Sequence, residues 1–192
     1  IGGVSNVTYV GTDGELLAFD TGPGNALLND WMRKHRTLDF DVGGGVALSG
    51  KVAGLSLDRA MTHPFFAQKP PKSLDRNDFS KLDFSSLNFE DGAATLARFT
   101  VEAIAASQRW FPATPVQWVI CGGGRHNQAI MQGLRDVLPG VVSAEDVGLN
   151  GDSIEAEAWA YLAVRSLYGL PLTYPGTTGV AQALGGGVRA AA

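Results

Sequence analysis

The feature that most constrains the fold is the stretch Leu16–Asn25, in which an apolar run leads into an acid and a glycine loop. The run Leu16–Phe19 predicts a buried strand, and Asp20 follows at its carboxyl end. The loop after Asp20 holds two glycines and a proline, and a helical pattern begins directly behind it. Strand, carboxylate, glycine loop and helix in this order are typical of α/β proteins, which build binding sites at the carboxyl edge of a sheet.

Asp20 has two interpretations at this point. Glycines let the backbone approach an anion, and a helix start offers unpaired N–H groups, so Asp20 fits a general base beside a phosphate. An aspartate at a strand-to-helix turn also fits a cap of that helix. The stretch alone leaves both interpretations open.

A second unit of the same kind begins near the middle of the chain. Val116–Cys121 predicts a buried strand, Gly122–Gly124 follows it, and a helix is expected after the glycines. The full set of predicted elements is strands 4–10, 15–20, 116–121 and 141–147, helices 25–35, 51–61, 92–110, 127–138 and 152–168, a glycine-rich loop 39–50 and a disordered end to the tail 172–192. No repeat or linker divides them, so we expect one α/β domain with a mixed sheet.

Several expectations concern single residues. Asp152 is the expected N-cap of the helix 152–168, and Glu155 fits its capping-box acid. Trp118 and Trp159 are expected in the core. Trp31, Trp118 and the pair Phe65–Phe66 fit a core and the face of a homodimer equally well.

Composition narrows the class of protein. The 192 residues are 45% hydrophobic and 18% charged, which is typical of a globular domain. The net charge is −4 without a basic block, so we expect no nucleic acid partner. No apolar run is long enough for a membrane span, and the single Cys121 fits a reducing cytosol, so we expect a cytoplasmic protein.

Two signatures and one kind of site are missing from the sequence. It has no P-loop signature, and no dinucleotide-binding glycine pattern opens the first unit. The three histidines and the cysteine lack metal-ligand spacing, so we predict no metal site formed by this chain. P-loop NTPases and Rossmann dehydrogenases are therefore excluded.

Longer motifs carry a resemblance to a known family. In order along the chain they are Ile1–Val7, Phe19–Asn25, Ser49–Val52, His63–Phe66, Pro70–Ser73 and Cys121–Gly124. With them the chain resembles the C-terminal part of the anhydro-N-acetylmuramic acid kinases, of the sugar kinase, actin and heat-shock chaperone ATPase superfamily. The resemblance covers nearly all of the sequence and ends at Pro175–Gly179.

The resemblance implies a fold and a missing partner lobe. The fold is a ribonuclease-H-like, actin-like ATPase lobe, with a mixed sheet and helices on both faces. The family's first phosphate loop belongs to an N-terminal lobe that residues 1–192 lack, and the sequence opens at Ile1 as if in mid-strand. We therefore expect a C-terminal lobe that is inactive alone, because catalysis needs both lobes to close on the nucleotide.

The resemblance also implies a reaction. Mg-ATP phosphorylates the 6-hydroxyl of a 1,6-anhydro sugar while water opens the anhydro bridge, which gives N-acetylmuramic acid 6-phosphate for cell-wall recycling. Asp20 matches the base that takes the proton from this water. The ligands implied are ATP, Mg²⁺ and the sugar.

The matched motifs assign further residues. Nucleotide contacts fall on Thr21, Gly22 and Gly24 in the second phosphate motif, and on Gly122, Gly123, Gly124 and Asn127 in the adenosine motif. Sugar contacts fall on Glu155 and Asn25, and for Glu155 this assignment competes with the capping role.

The chain also departs from the family pattern. Lys72–Asn77 differs from the usual loop sequence, Gly43 replaces a frequent acid, and Arg125 stands where a small residue is common. Two alternatives remain at this stage. One is a kinase for another 1,6-anhydro sugar such as levoglucosan, and the other is a non-catalytic actin-like nucleotide-binding module.

Overall fold

The computed structural model describes residues 1–188. Its strands are β1 (Val4–Val10), β2 (Leu16–Pro23), β3 (Trp118–Ile120) and β4 (Val141–Ser143). Its α-helices are α1 (Ala26–Arg36), α2 (Gly45–Ser49), α3 (Gly54–Met61), α4 (Phe89–Ala106), α5 (Gln128–Val137), α6 (Ile154–Leu167) and α7 (Pro175–Thr178). Short 3₁₀ turns lie at Val42–Gly44, Pro64–Ala67, Ser107–Trp110, Gly123–His126 and Glu145–Val147.

The first two strands form the predicted antiparallel hairpin. The tight turn between them closes with a hydrogen bond from the Gly11 N–H to the Glu15 carbonyl. Ser5 pairs with Gly22 and Asn6 pairs with Asp20, so Thr21 is an extra residue and forms a β-bulge. The strand was predicted to end at Asp20, but it continues through the bulge to Pro23.

The second unit forms a small parallel sheet. Trp118 pairs with Val141 and Ile120 with Ser143, and α5 connects the two strands. The α/β class is confirmed. Within residues 1–188 the strands form two separate two-stranded sheets, whereas the sequence predicts a single mixed sheet. Both strands of the second sheet are also shorter than expected, because only three residues on each side keep the pairing.

Helix α4 is the centre of the core. It contacts α1, α2, α3, α5 and both strands of the hairpin, and most of its residues are buried. Small residues allow the close approach: a Cβ on Gly92 would lie 2.1 Å from the Trp31 ring, and one on Gly133 of α5 would lie 2.9 Å from Val101. The predicted helix 92–110 is confirmed in substance, although it starts three residues earlier, where the Asn88 side chain accepts from the Asp91 N–H at 2.8 Å.

The aromatic residues whose place was left open lie in the core. Trp31, Trp118, Phe65 and Phe66 are each 6% exposed or less. They pack inside the chain, and so they offer no surface to a second copy. Trp159 was also expected in the core, and that prediction is wrong, because its side chain on α6 is 68% exposed.

The segment 39–50 is more ordered than predicted. A glycine-rich loop was expected, but the segment forms a 3₁₀ turn followed by α2. Buried Asp41 explains the difference, because its carboxylate accepts from the N–H groups of Val46 and Ala47, each at 2.9 Å. Gly43 and Gly44 take positive φ angles and turn the chain into that helix.

The C-terminal part keeps the predicted helix α6 and adds a short helix that was not predicted. Helix α7 lies against β2, where a Cβ on Gly176 would lie 2.0 Å from the Leu16 carbonyl oxygen. The disorder expected at the very end falls on residues 189–192, outside the described residues. In the part of the chain that the structure describes, no helix is long and apolar enough to cross a bilayer.

Candidate active site

Asp20 lies beside the bulge in β2, and a second segment is bound along it. The Asp20 N–H donates to the Lys72 carbonyl at 3.0 Å, and the Asp20 carboxylate accepts from the Leu74 N–H at 2.7 Å. The carboxylate does not cap α1, which begins six residues later and whose N-cap position is Asn25. The capping interpretation of Asp20 is therefore wrong.

The surroundings of Asp20 change its acidity. Burial raises the pKa of the Asp20 carboxyl above its ordinary value, and the hydrogen bond from Leu74 offsets part of this effect. The group stays partly accessible. A carboxylate that is half-buried, oriented by one backbone donor and raised in pKa has the properties of a general base.

Lys72 anchors the segment that binds Asp20. Its ammonium donates to the Phe65 carbonyl at 3.0 Å and lies 4.1 Å from the centre of the Phe65 ring. Burial, together with the nearby Arg109 guanidinium, lowers the pKa of Lys72 to about 8. The Lys72 side chain therefore holds this segment to Phe65. The Lys72 carbonyl and the Leu74 N–H of the same segment bind Asp20.

A separate cavity of about 280 Å³ brings the two glycine units together. Asn25 of the first unit and Gly123 and Asn127 of the second line it, together with Leu28, Asn29, Phe40, Asp41, Gly43 and His126. Asp20 does not line this cavity, and the five-residue path from Asp20 to Asn25 spans at most about 18 Å.

The cavity also has residues that sequence reasoning missed. Phe40 is 55% exposed at its wall, where an aromatic ring can stack on a flat heterocycle. Asp41 beside it is buried by its capping contacts. The available signal was an aromatic residue and an acid, separated by one residue from the glycines of the segment 39–50.

Most of the predicted nucleotide glycines are required by packing inside the protein. A Cβ on Gly22 would lie 2.6 Å from the Ala103 Cβ, and one on Gly24 would lie 2.3 Å from the Gly2 carbonyl oxygen. Gly122 and Gly124 likewise approach Ile1. Gly123 differs, because its surroundings are open and the first atom met is the Asn25 Nδ2 at 4.0 Å.

Thr21 and Asn127 use their side chains for structure. The Thr21 hydroxyl lies 2.7 Å from the Ser5 hydroxyl and is buried in the bulge. The Asn127 side chain caps α5 by accepting from the Ile130 N–H at 3.1 Å. For a ligand, Thr21 retains only its backbone, whereas Asn127 still borders the cavity.

Glu155 stands apart from the other predicted residues. It is exposed in the first turn of α6 and lines neither this cavity nor the small pocket beside Lys72. The capping expectations around it are wrong: Ser153 is at the N-cap position and pairs with Glu157, while Asp152 binds Arg125. Glu155 is therefore free of a capping role.

The described residues form no cluster for a metal ion. Between Ile1 and Val188, no group of three or more histidine, cysteine, aspartate or glutamate side chains is placed to hold one.

Known proteins are similar to this chain over nearly its whole length. A family model described as anhydro-N-acetylmuramic acid kinase matches residues 1–190. The proteins of that name from Rhodospirillum rubrum and Rhizobium etli are 49% and 47% identical, over 97% and 99% of this chain and 50% and 52% of their own lengths. That from Brucella canis is 49% identical over 98% of this chain and 52% of its own. The chain thus spans about half the length of the curated relatives it matches.

One solved structure shows a weaker likeness. The activator of the 2-hydroxyisocaproyl-CoA dehydratase from Clostridium difficile with bound ADPNP matches 74% of this chain and 51% of its own. The identity is 16% and the TM-score is 0.46, a likeness too slight to support an argument.

Proposed function

The chain belongs to the anhydro-N-acetylmuramic acid kinase family, and from that membership we propose that it is one lobe of a kinase for 1,6-anhydro-N-acetylmuramic acid. The relatives are about twice as long as this chain. The rest of the active site would belong to the half of the relatives that this chain does not match. The enzyme would act in the cytoplasm, in the recycling of cell-wall sugar.

The observation that carries the proposal is the setting of Asp20. A base for water needs an ionisable carboxylate that is oriented, partly shielded and open on one side. Asp20 meets these needs through its place in β2, its 2.7 Å hydrogen bond from Leu74 and its partial burial. Burial raises its pKa toward neutrality, which strengthens it as a base.

The proposed reaction uses Asp20 once. The carboxylate takes a proton from the water that attacks the anomeric carbon, and the bond from that carbon to the bridging oxygen breaks. The freed 6-oxygen then attacks the γ-phosphorus of ATP. The bond between the γ-phosphorus and the oxygen that joins it to the β-phosphorus breaks, and that oxygen leaves with ADP. The products are the sugar 6-phosphate, ADP and one proton, so atoms and charge balance.

The cavity fits the adenosine part of ATP. Exposed Phe40 offers a ring for stacking on adenine, and Gly123 leaves the wall open opposite Asn25. For Mg²⁺ the described residues provide no ligand cluster, and the ion would be a counter-ion held mainly by the phosphates and water.

The test uses the full-length protein, in which this chain is joined to the half that its relatives also contain. It is mixed with Mg-ATP and 1,6-anhydro-N-acetylmuramic acid in heavy-oxygen water, and the sugar product is weighed. We expect a gain of one phosphate and one labelled water. Turnover of levoglucosan instead would support a kinase activity with a different sugar substrate. The absence of product from both sugars would contradict the proposal.

A further inference from the structure

Arg125 is the most deeply buried guanidinium that carries ion pairs in the described chain. Its side chain is 3% exposed, and it lies in the 3₁₀ turn that directly follows the second glycine loop. One of its nitrogens donates to the Gly122 carbonyl at 3.0 Å. The guanidinium is thus fixed to the loop whose middle residue, Gly123, opens on the cavity.

The other donors of Arg125 reach two acids from later segments. Its Nε donates to the Glu145 carboxylate at 2.9 Å, and its Nη2 donates to the Asp152 carboxylate at 2.7 Å. The bond from Arg125 lowers the pKa of the Asp152 carboxyl, so this pair stays charged. Three hydrogen-bond directions of one planar group are therefore used on three different segments.

The space around Arg125 is shaped for it. A Cβ on Gly151 would lie 2.4 Å from the Arg125 Nε, so a side chain at Gly151 would displace the guanidinium. The Gly151 N–H also donates to Glu145 at 3.2 Å, which closes a ring of contacts around the arginine.

Helix α6 has little else to hold its first turn. None of its residues is buried, and its large apolar side chains Trp159 and Leu167 are 68% and 65% exposed. Asp152 lies two residues before the helix, and Glu155 lies in its first turn. The bond from Arg125 to Asp152 therefore connects the glycine loop to the start of the helix that presents Glu155.

We propose that Arg125 is a positioning residue that fixes the helix bearing the sugar-binding acid Glu155 to the nucleotide-binding loop at Gly122–Gly124. The inference rests on the proposed function for the roles of the two segments. Its consequence is that the sugar site is set from the nucleotide side, so a break in the link weakens sugar binding without removing a sugar contact.

The test is Asp152→Ala in the full-length protein. Asp152 is 77% exposed in its side chain, so the variant should fold, and it leaves the bond from Arg125 to Gly122 in place. We expect the KM for the sugar to rise about tenfold while the KM for ATP stays within about twofold. Amide exchange over residues 154–158 should become at least about tenfold faster, without a change in β2.

A matched control is Asp146→Ala. Asp146 is an exposed acid in the same region, and among the described residues its carboxylate accepts side-chain and backbone hydrogen bonds from Ser143 alone. It should change neither the exchange of α6 nor either KM. A second variant, Arg125→Met, should reproduce the sugar effect of Asp152→Ala, and the double variant should add little further effect on the KM for the sugar.

The outcomes separate the two proposals. Unchanged exchange at 154–158, an unchanged KM for the sugar, or equal rises in both KM values would overturn the positioning role. If the unaltered enzyme does not phosphorylate the sugar, the proposed function fails. The exchange measurement then still decides whether Arg125 holds α6.

Discussion

Gly123→Ala separates the glycine that faces the cavity from those that face the protein. A Cβ at Gly123 meets the Asn25 Nδ2 at 4.0 Å, an ordinary contact, and its φ angle is not in the left-handed region. A glycine-to-alanine change at such a position stabilises a protein by about 0.4–1 kcal/mol through the unfolded chain. For the full-length protein, which is about twice the size of this chain, we expect the melting temperature to rise by about 0.5–1.5 °C.

The same methyl group enters the cavity between Asn25 and Gly123. Overfilling a well-packed site by one methyl group costs about 1–3 kcal/mol, which corresponds to a loss of nucleotide affinity of about 5- to 150-fold. The affinity is measured by calorimetric titration of the full-length protein with a non-hydrolysable ATP analogue. Thermal unfolding of the same sample gives the stability.

Gly54→Ala is the matched control. A Cβ at Gly54 meets no atom within 4 Å, and the residue opens α3 away from the cavity. It should raise the melting temperature slightly and leave nucleotide affinity unchanged. A lower melting temperature of Gly123→Ala, or nucleotide binding as tight as that of the unaltered protein, would contradict a cavity-facing role for Gly123.

Three further predictions follow from the same region. Asp20→Asn should lower kcat by about 10²- to 10⁴-fold with unchanged ATP affinity, and it should raise the melting temperature at neutral pH, because the amide still accepts from Leu74 without a buried charge. Because the pKa of Asp20 is raised in the folded protein, activity should fall as the pH drops through that pKa. The folded state binds more protons than the unfolded state between the two pKa values of Asp20, so stability should fall as the pH rises across that interval. Calorimetry should find this slope missing in the variant. Gly22→Ala should cost about 1–3 kcal/mol in chemical denaturation, because its Cβ would lie 2.6 Å from that of Ala103, and Ala103→Gly should recover part of the loss if the clash is the cause. Lys72 has a pKa of about 8 in the folded protein against 10.5 when unfolded, so the folded state binds fewer protons between these values; stability should rise with pH across that interval, and Lys72→Met should remove the rise.

The sequence predicts the parts of the fold that depend on near neighbours. The turn at Asp13-Gly14 and the alternation on either side are local, and the hairpin appears where they place it. Helix α5 is equally local, because Asn127 caps it and apolar residues follow at helical spacing. Such signals need no knowledge of what the segment packs against.

The misses have a different physical origin. The order in the segment 39–50 comes from buried Asp41, whose capping contacts form only once the segment has turned at Gly43 and Gly44. Trp159 was predicted in the core because a large apolar side chain favours burial. Hydrophobicity alone does not show whether another part of the same chain covers that side chain.

The candidate site was predicted by residue type more readily than by role. Asn25, Gly123 and Asn127 line the cavity, and Asp20 is partly accessible at the bulge. Gly22 was also predicted to contact the nucleotide, but a glycine is required there because a Cβ would clash with Ala103 of α4. A sequence shows where a glycine stands, but it does not show which neighbouring atoms leave no room for a side chain there.

The bulge at Thr21 limits how the length of this chain can change. Deleting Thr21 would leave Gly22 paired with Ser5, but the strand would lose the bend and extra twist that a bulge introduces, together with the contact between the Thr21 and Ser5 hydroxyls. The chain would then leave the strand in another direction, which would shift Asn25 from the cavity wall. The exposed turn at the other end of the hairpin joins strands that pair regularly. We therefore expect changes of length to be tolerated at the turn and to disturb the site at the bulge.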